Sequence, residues 1–174
     1  CGGCGLIGRK EFPTRDELER MYASYYSDHN LASGETHMES GAVPATNHAD
    51  YLARSVPHAA KVFDFGAGTG ELLAALRHRG LTVAGSELAE GARRYAQERY
   101  GLALLPVPPG QGHSGEYDVV TAIEVVEHLA EPWVTLSELR GMLKRGGFLY
   151  LTTPNAAGLR ARLGGGQWRE AQKP

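Results

Sequence analysis

A chain of 174 residues with 42% hydrophobic content can bury one core of ordinary size, so a single domain is the default. The formal charge is −2 with acids and bases interspersed, which excludes a broad positive field for non-specific nucleic-acid binding. No apolar run approaches the roughly eighteen residues of a membrane-spanning helix, and the start lacks the basic and apolar parts of a signal peptide, so a soluble, cytoplasmic protein is expected, with nucleic acid unsupported as a partner.

The only cysteines, Cys1 and Cys4, have the spacing of one zinc knuckle. A structural zinc takes four ligands, so they supply half a site, and two free thiols in a terminal segment are an equal reading. Thr14 and Glu17 form a capping box, and Leu18, Met21, Tyr22 and Tyr25 follow on one apolar face. The pattern predicts a helix lying across the core, with Tyr25 packed inside and Tyr26 on the surface; the other reading is that both tyrosines reach the carboxylate of a bound cofactor. Residues 27–44 carry His29, Gly34, His37, Gly41 and Pro44 without periodicity and read as a loop covering a pocket. A short helix over 47–55 leads on.

The most telling stretch is 61–70. An apolar run over 62–65 stops at Gly66, Gly68 and Gly70, and a helical pattern starts at Glu71. This is a strand, a tight turn and a helix, with glycines where the backbone takes positive φ and lets a ligand approach. A second apolar run over 81–85 ends in Ser86 and Glu87, where a doubly wound fold places the carboxylate for a ribose diol. The spacing G-x-G-x-G departs from the dinucleotide pattern G-x-G-x-x-G and disfavours a nicotinamide-dependent oxidoreductase. Asp64 and Glu71 would repel a pyrophosphate, but they suit a ligand carrying an ammonium and a sulfonium.

These residues resemble the first motif of the class I S-adenosylmethionine-dependent methyltransferases, acid-x-G-x-G-x-G. The resemblance implies an α/β fold with a doubly wound, mostly parallel sheet. It also implies S-adenosylmethionine as cofactor, its methionyl part on Asp64, Gly66, Ala67, Gly68, Thr69 and Gly70, and its ribose on Glu87 beside Leu88. The alternative is that the glycines only make a tight turn.

Further along, a helix over 88–100 ends at Gly101, and a third strand is predicted over 102–105. The loop after it is rich in proline and glycine. Similar enzymes place an acid there for the adenine amino group, whereas here none precedes Glu116, which leaves Gln111 or loop carbonyls. A buried fourth strand over 119–123 runs into Glu124, Glu127 and His128. This stretch, followed by Pro132, resembles the E-x-x-E-H-L pattern of the quinone-biosynthesis O-methyltransferases. Trp133, Val134, Leu136, Leu139 and Leu143 are predicted as the buried face of a helix ended by Gly146 and Gly147. A fifth strand over 148–152, Thr153-Pro154-Asn155 and a short helix over 156–163 follow.

The resemblance adds Ile123 and Glu124 to the cofactor site and makes His128 a candidate general base, with Glu124 and Glu127 as its neighbours. Two other readings stay open. His128 is a satisfied structural residue, or Glu124, Glu127 and His128 share a face and hold a divalent ion, as in the plant-type small-RNA 2′-O-methyltransferases.

Five strands are expected where the family has seven, as in a piece of a longer protein. Residues 1–13 resemble part of a zinc ribbon, 14–60 are helices and a cap loop, 61–163 the cofactor-binding domain, and 164–174 a tail. The expected activity is methyl transfer to a small molecule at a hydroxyl. The alternative is a module that binds the cofactor without catalysis.

Overall fold

The computed structural model describes residues 13–27, 30, 43–56, 60–106 and 114–164. Its centre is β1, Lys61–Phe65, whose last four residues are all buried, and the related run β3, Tyr117–Ile123. Strands apolar on both faces belong inside a parallel sheet covered on both sides. Here the order is β2 (Thr82–Ser86), β1, β3 and β4 (Leu143–Thr152), all parallel.

Alternate side chains divide the core into two layers. Val62 and Val119 meet Ala49 and Leu52 of α2 (Ala45–Ser55) and Leu72 and Leu76 of α3 (Glu71–His78). On the other face Phe63, Phe65, Val120 and Ala122 meet Leu139 and Met142 of α5 (Pro132–Met142). Between them in sequence, α4 (Glu90–Tyr100) follows β2 and ends at Gly101, which takes the left-handed cap. The chain steps from β1 outward to β2 and returns to pair β3 on the other side of β1. That reversal opens a crevice at the carboxyl ends of β1 and β3, where open α/β sheets bind ligands.

Several elements depart from expectation, each for a local reason. Residues 102–105 form no strand beyond a single parallel bridge from Leu105 to Ser86. The Leu102 N–H is committed to the Ala96 carbonyl at the end of α4, and Pro106 has no N–H to continue a ladder.

Gly146 and Gly147 do not end a helix. The helix stops at Met142, β4 begins at once, and Gly146 at φ +82° sits in a bulge between the pairs Tyr117↔Leu143 and Val119↔Phe148. Asp118 ties this bulge down by accepting from Lys144 Nζ with both oxygens at 2.8 Å and from the Lys61 N–H.

Trp133 and Val134, in the first turn of α5, are exposed, not buried, and Leu143 lies in β4; Leu139 and Met142, near the other end of the helix, carry the packing. The final helix, α6, covers Leu159–Gly164.

The first helix, α1 (Arg15–Tyr25), has the expected capping box, Glu17 N–H on Thr14 and the Thr14 N–H on Glu17. It does not cross the core: Leu18, Met21 and Tyr22 are half-buried and Tyr25 is 38% exposed. Most of the expected loop over 27–44, Gln111 and both cysteines lie outside the described residues. Among the described residues no helix is long and apolar enough to cross a membrane.

Leu52, with no exposed surface, anchors α2 against both sheet and α3. Leu52→Ala is expected to cost about 2–5 kcal/mol in urea unfolding, while Leu159→Ala on exposed α6 stays within about 0.5 kcal/mol.

Candidate active site

Directly after β1 the backbone doubles back through Gly66 (φ +76°), Gly68 (φ +53°) and Gly70 (φ +82°). The N–H groups of Gly66 and Ala67 both donate to the Ser86 carbonyl at 2.9 Å, which pins the loop to the end of β2. The glycines answer different needs. A Cβ on Gly66 would lie 2.6 Å from a Val125 methyl, and one on Gly70 would press on Ala96 and Leu102 at 3.1 Å. A Cβ on Gly68 meets only the Tyr26 hydroxyl, at 3.2 Å, so this glycine faces the crevice. Thr69 is buried within the loop and Ala67 half-buried.

Two carboxyl groups stand beside the loop. Glu87 is 7% exposed; its Oε2 accepts from the Gly68 N–H at 2.9 Å and its Oε1 from the Ala89 N–H at 2.8 Å. Burial raises its pKa, opposed by the N–H groups of Ala89, Gly68 and Leu88 and by the Arg93 charge. Arg93 also grips the backbone here, donating to the Glu87 and Leu88 carbonyls. Asp64, at 4% exposure, accepts from the fully buried Thr121 hydroxyl at 2.5 Å. Burial pushes Asp64 up to about 7; the Thr121 bond works against this and the Glu87 charge adds to it.

Above the loop lies the end of α1. Tyr26 is half-buried with its hydroxyl beside Gly68, while Tyr25 is the exposed one, the reverse of the pattern-based placement. A Cβ on Gly91 would sit 2.4 Å from the Tyr26 carbonyl oxygen, so the missing side chain at the head of α4 is what lets α1 seat there. Tyr22, half-buried on α1, has its phenol pKa raised by burial and by the charges of Glu87 and Glu127.

At the end of β3, Ile123 packs into the α2–α3 layer and Glu124 turns outward at φ +54°, its N–H held by the Thr152 carbonyl at 3.0 Å. Val126–His128 is one 3-10 turn. Since Glu124 is not helical, Glu124 and Glu127 do not share a helix face, and among the described residues no three His, Cys, Asp or Glu side chains come together as metal ligands. The metal reading of this cluster is corrected accordingly. The Glu127 carboxyl is held above its ordinary range by burial and by Glu124, with His128 and Thr153 opposing, and its Oε2 is buried without a hydrogen-bond partner among the described residues. His128 is half-buried next to it.

Thr121 and a second histidine, His48, escaped the sequence reading, and Tyr22 was read only as part of an apolar helix face. Thr121 had a signal, a lone hydroxyl in an otherwise apolar strand. His48 lay in a short helix to which no functional residue was assigned.

A methyltransferase domain profile matches residues 36–173. The chain is 32% identical over 103 residues to the ubiquinone biosynthesis O-methyltransferase of Thiobacillus denitrificans, covering 55% of this chain and 44% of that protein. It is 31% identical over 104 residues to the enzyme of that name from Acinetobacter baylyi, with the same coverage. The chain thus spans less than half the length of these relatives. In three dimensions it is similar to a TehB-like S-adenosylmethionine-dependent methyltransferase from Corynebacterium glutamicum (TM-score 0.56, 22% identity, 79% of this chain, 73% of that one). It is also similar to the [4+2]-cyclase SpnF (TM-score 0.67, 20% identity, 89% and 67%). A third similar structure is a methyltransferase from Thiobacillus denitrificans in complex with S-adenosylhomocysteine (TM-score 0.55, 19% identity, 72% and 54%). A cyclase among the neighbours makes plain that likeness at this identity carries the fold alone. With a profile match that spans most of its length and a switch-point crevice of this build, the chain belongs to the methyltransferase domain family, in its class I S-adenosylmethionine-dependent form.

Proposed function

We propose that the protein transfers a methyl group from S-adenosylmethionine to a hydroxyl of a small molecule. The observation that carries this is Glu87, a buried carboxylate turned onto the Gly68 N–H at the switch point rather than out to solvent. Each of its oxygens accepts one bond from the backbone, which leaves acceptor capacity for a diol. Residues 61–163 then form the cofactor-binding domain and 14–60 the helices that cover it.

The residues fit that cofactor in charge as well as shape. Asp64 and Glu87 make a desolvated negative pocket, and a ligand bearing an ammonium and a sulfonium answers it. Gly68 leaves room for close approach, Ala67 and Thr69 line the loop, and Leu88 and Ile123 flank it. When bound, S-adenosylmethionine supplies an electrophilic methyl on sulfur. The protein holds donor and acceptor in line and excludes water, with Glu124, Glu127 and His128 at the acceptor edge. The hydroxyl assignment draws on the O-methyltransferase relatives.

Calorimetry tests the cofactor. S-adenosylhomocysteine and S-adenosylmethionine are expected to bind and NAD not to; absence of binding by the first two ends the proposal. Glu87→Gln is expected to weaken S-adenosylhomocysteine binding by roughly 10- to 100-fold, the worth of one or two hydrogen bonds to a charged group.

Asp64 gives a pH signature of definite sign. Its folded pKa, about 7, lies above its ordinary 3.8, so the folded chain holds the extra proton between those values and stability falls as pH rises from about 4 to about 7. Three pK units correspond to at most ~4 kcal/mol, lost in full above neutrality. Asp64→Asn keeps an acceptor for Thr121 and is expected to melt higher than the parent at pH 8, no higher at pH 4, and to bind S-adenosylmethionine more weakly. A bound cation lowers the Asp64 pKa, so binding near pH 7 is expected to release protons, read as a heat that varies with buffer ionisation enthalpy.

A further inference from the structure

His48 projects from α2 onto the sheet at 8% exposure, and its Nδ1 is hydrogen-bonded to the Tyr150 hydroxyl at 2.9 Å. The rings meet edge to face at 5.7 Å, and Tyr51 packs on Tyr150 at 5.6 Å. Tyr150 is in register with Thr121, and Thr121 with Asp64, so Asp64, Thr121 and Tyr150 form one row across three strands on the face that α2 covers. Strands about 4.8 Å apart place Tyr150 about 10 Å from Asp64, across β3 from the donor pocket.

Two further features mark this corner. The Thr152 hydroxyl, two residues along the same face, is buried without a hydrogen-bond partner among the described residues. Glu124, at the end of β3, acts electrostatically on the imidazole: burial lowers the His48 pKa, and the Glu124 charge partly restores it. The described titratable groups facing His48 are Tyr150 with Tyr51 behind it and Glu124. Asp50, also on α2, is engaged instead with Arg79 across the α2–α3 contact.

We propose that His48, oriented by Tyr150, accepts the proton of the acceptor hydroxyl in place of His128. The inference rests on the methyl-transfer reading above and deepens it. The role requires the tautomer in which Nδ1–H donates to the Tyr150 oxygen and the lone pair is on Nε2, the tautomer that the nitrogen resonances below read directly. The hydroxyl oxygen bonds to the methyl carbon as the carbon–sulfur bond breaks with its electron pair left on sulfur; the hydroxyl proton passes to Nε2 and from there to solvent. A neutral imidazole serves some hydroxyls better than others. It lies about 4 pK units below a phenol near 10, a gap that catalysis bridges, but about 9 below water or an alkanol near 15.7. The acceptor class is therefore an acidic hydroxyl of the phenol type, and Tyr51, 52% exposed, offers an aromatic surface beside it.

The test uses the full chain labelled with 15N-histidine, with the His48 resonances assigned by their loss in His48→Gln. Saturated with S-adenosylhomocysteine, Nε2 of His48 is expected to appear as the unprotonated nitrogen and to shift when catechol, the probe, is added, while His78 on α3 does not. A protonated Nε2, or a catechol shift confined to His128, overturns the proposal. In methyl transfer to catechol, His48→Gln is expected to lose at least about 100-fold in kcat with KM for S-adenosylmethionine unchanged. Tyr150→Phe, which keeps the aromatic packing, is expected to lose about tenfold. A loss in KM alone, or full activity in Tyr150→Phe, overturns it as well. Failure of S-adenosylhomocysteine to bind overturns the methyl-transfer reading itself, whereas normal binding with an indifferent His48 overturns this inference only.

Discussion

Two carboxyl groups sharing one desolvated crevice constrain everything around them. Asp64 and Glu87 are 4% and 7% exposed, burial raises the pKa of both, the Glu87 charge adds to the rise at Asp64, and a bare buried carboxylate is among the costliest groups a fold can hold. The chain offsets part of that cost with N–H groups of Gly68 and Ala89 on Glu87 and with the Thr121 hydroxyl on Asp64. The positive φ angles of the loop follow from the same demand, since the Gly68 N–H reaches Glu87 only if the backbone turns sharply after β1. What remains uncompensated is a standing attraction for a cation. The site is thus less stable than its surroundings in a way that a positively charged ligand corrects.

The sheet transmits this constraint laterally. A parallel register sets residues of adjacent strands side by side, so the row holding Asp64 also holds Thr121 and Tyr150. One face of the sheet thereby carries both Asp64 and the His48–Tyr150 pair. The same face also holds the layer of Val62, Val119, Leu52, Leu72 and Leu76, and the opposite face, with Phe63, Val120, Leu139 and Met142, is apolar. Apolar packing on both sides of the sheet lets the polar row exist without loss of the core. It also explains why β1 and β3 read as uninterrupted apolar runs despite bearing Asp64 and Thr121, each satisfied by the other.

How much of this the chain announces depends on whether a feature is local. The glycine spacing, the capping box of Thr14 and Glu17 and the carboxylate ending β2 are backbone demands met within a few residues, so they stand out in one dimension. What was misread depends on partners far away in sequence. Residues 102–105 are apolar and extended, yet the Leu102 N–H is taken by α4 and Pro106 ends the edge, so a strand-like composition yields one bridge. Gly146 and Gly147 look like a helix stop, and only the Tyr117 and Asp118 backbone beside them makes a bulge of them: a Cβ on Gly147 would lie 2.9 Å from the Asp118 carbonyl oxygen. Tyr25 and Tyr26 were exchanged because periodicity assumes that a helix packs on a core, whereas α1 ends over a crevice and the residue that caps it, Tyr26, turns its hydroxyl onto Gly68.

Glu124 brings these threads together. It is the one non-glycine residue among those described with φ in the left-handed region, a conformation that costs a side chain about 1 kcal/mol or more. A glycine would relieve the strain, as it does at 66, 68 and 70. The strain is sustained because β3 and β4 end together at the pair Ile123↔Thr152 and the Thr152 carbonyl takes the Glu124 N–H, which leaves the exposed carboxylate to turn outward from the sheet edge. From there its charge reaches both Glu127, whose ionisation it opposes, and His48, whose protonation it favours. A single strained backbone position thus places a charge that acts on both groups, burial being the larger cause of each shift.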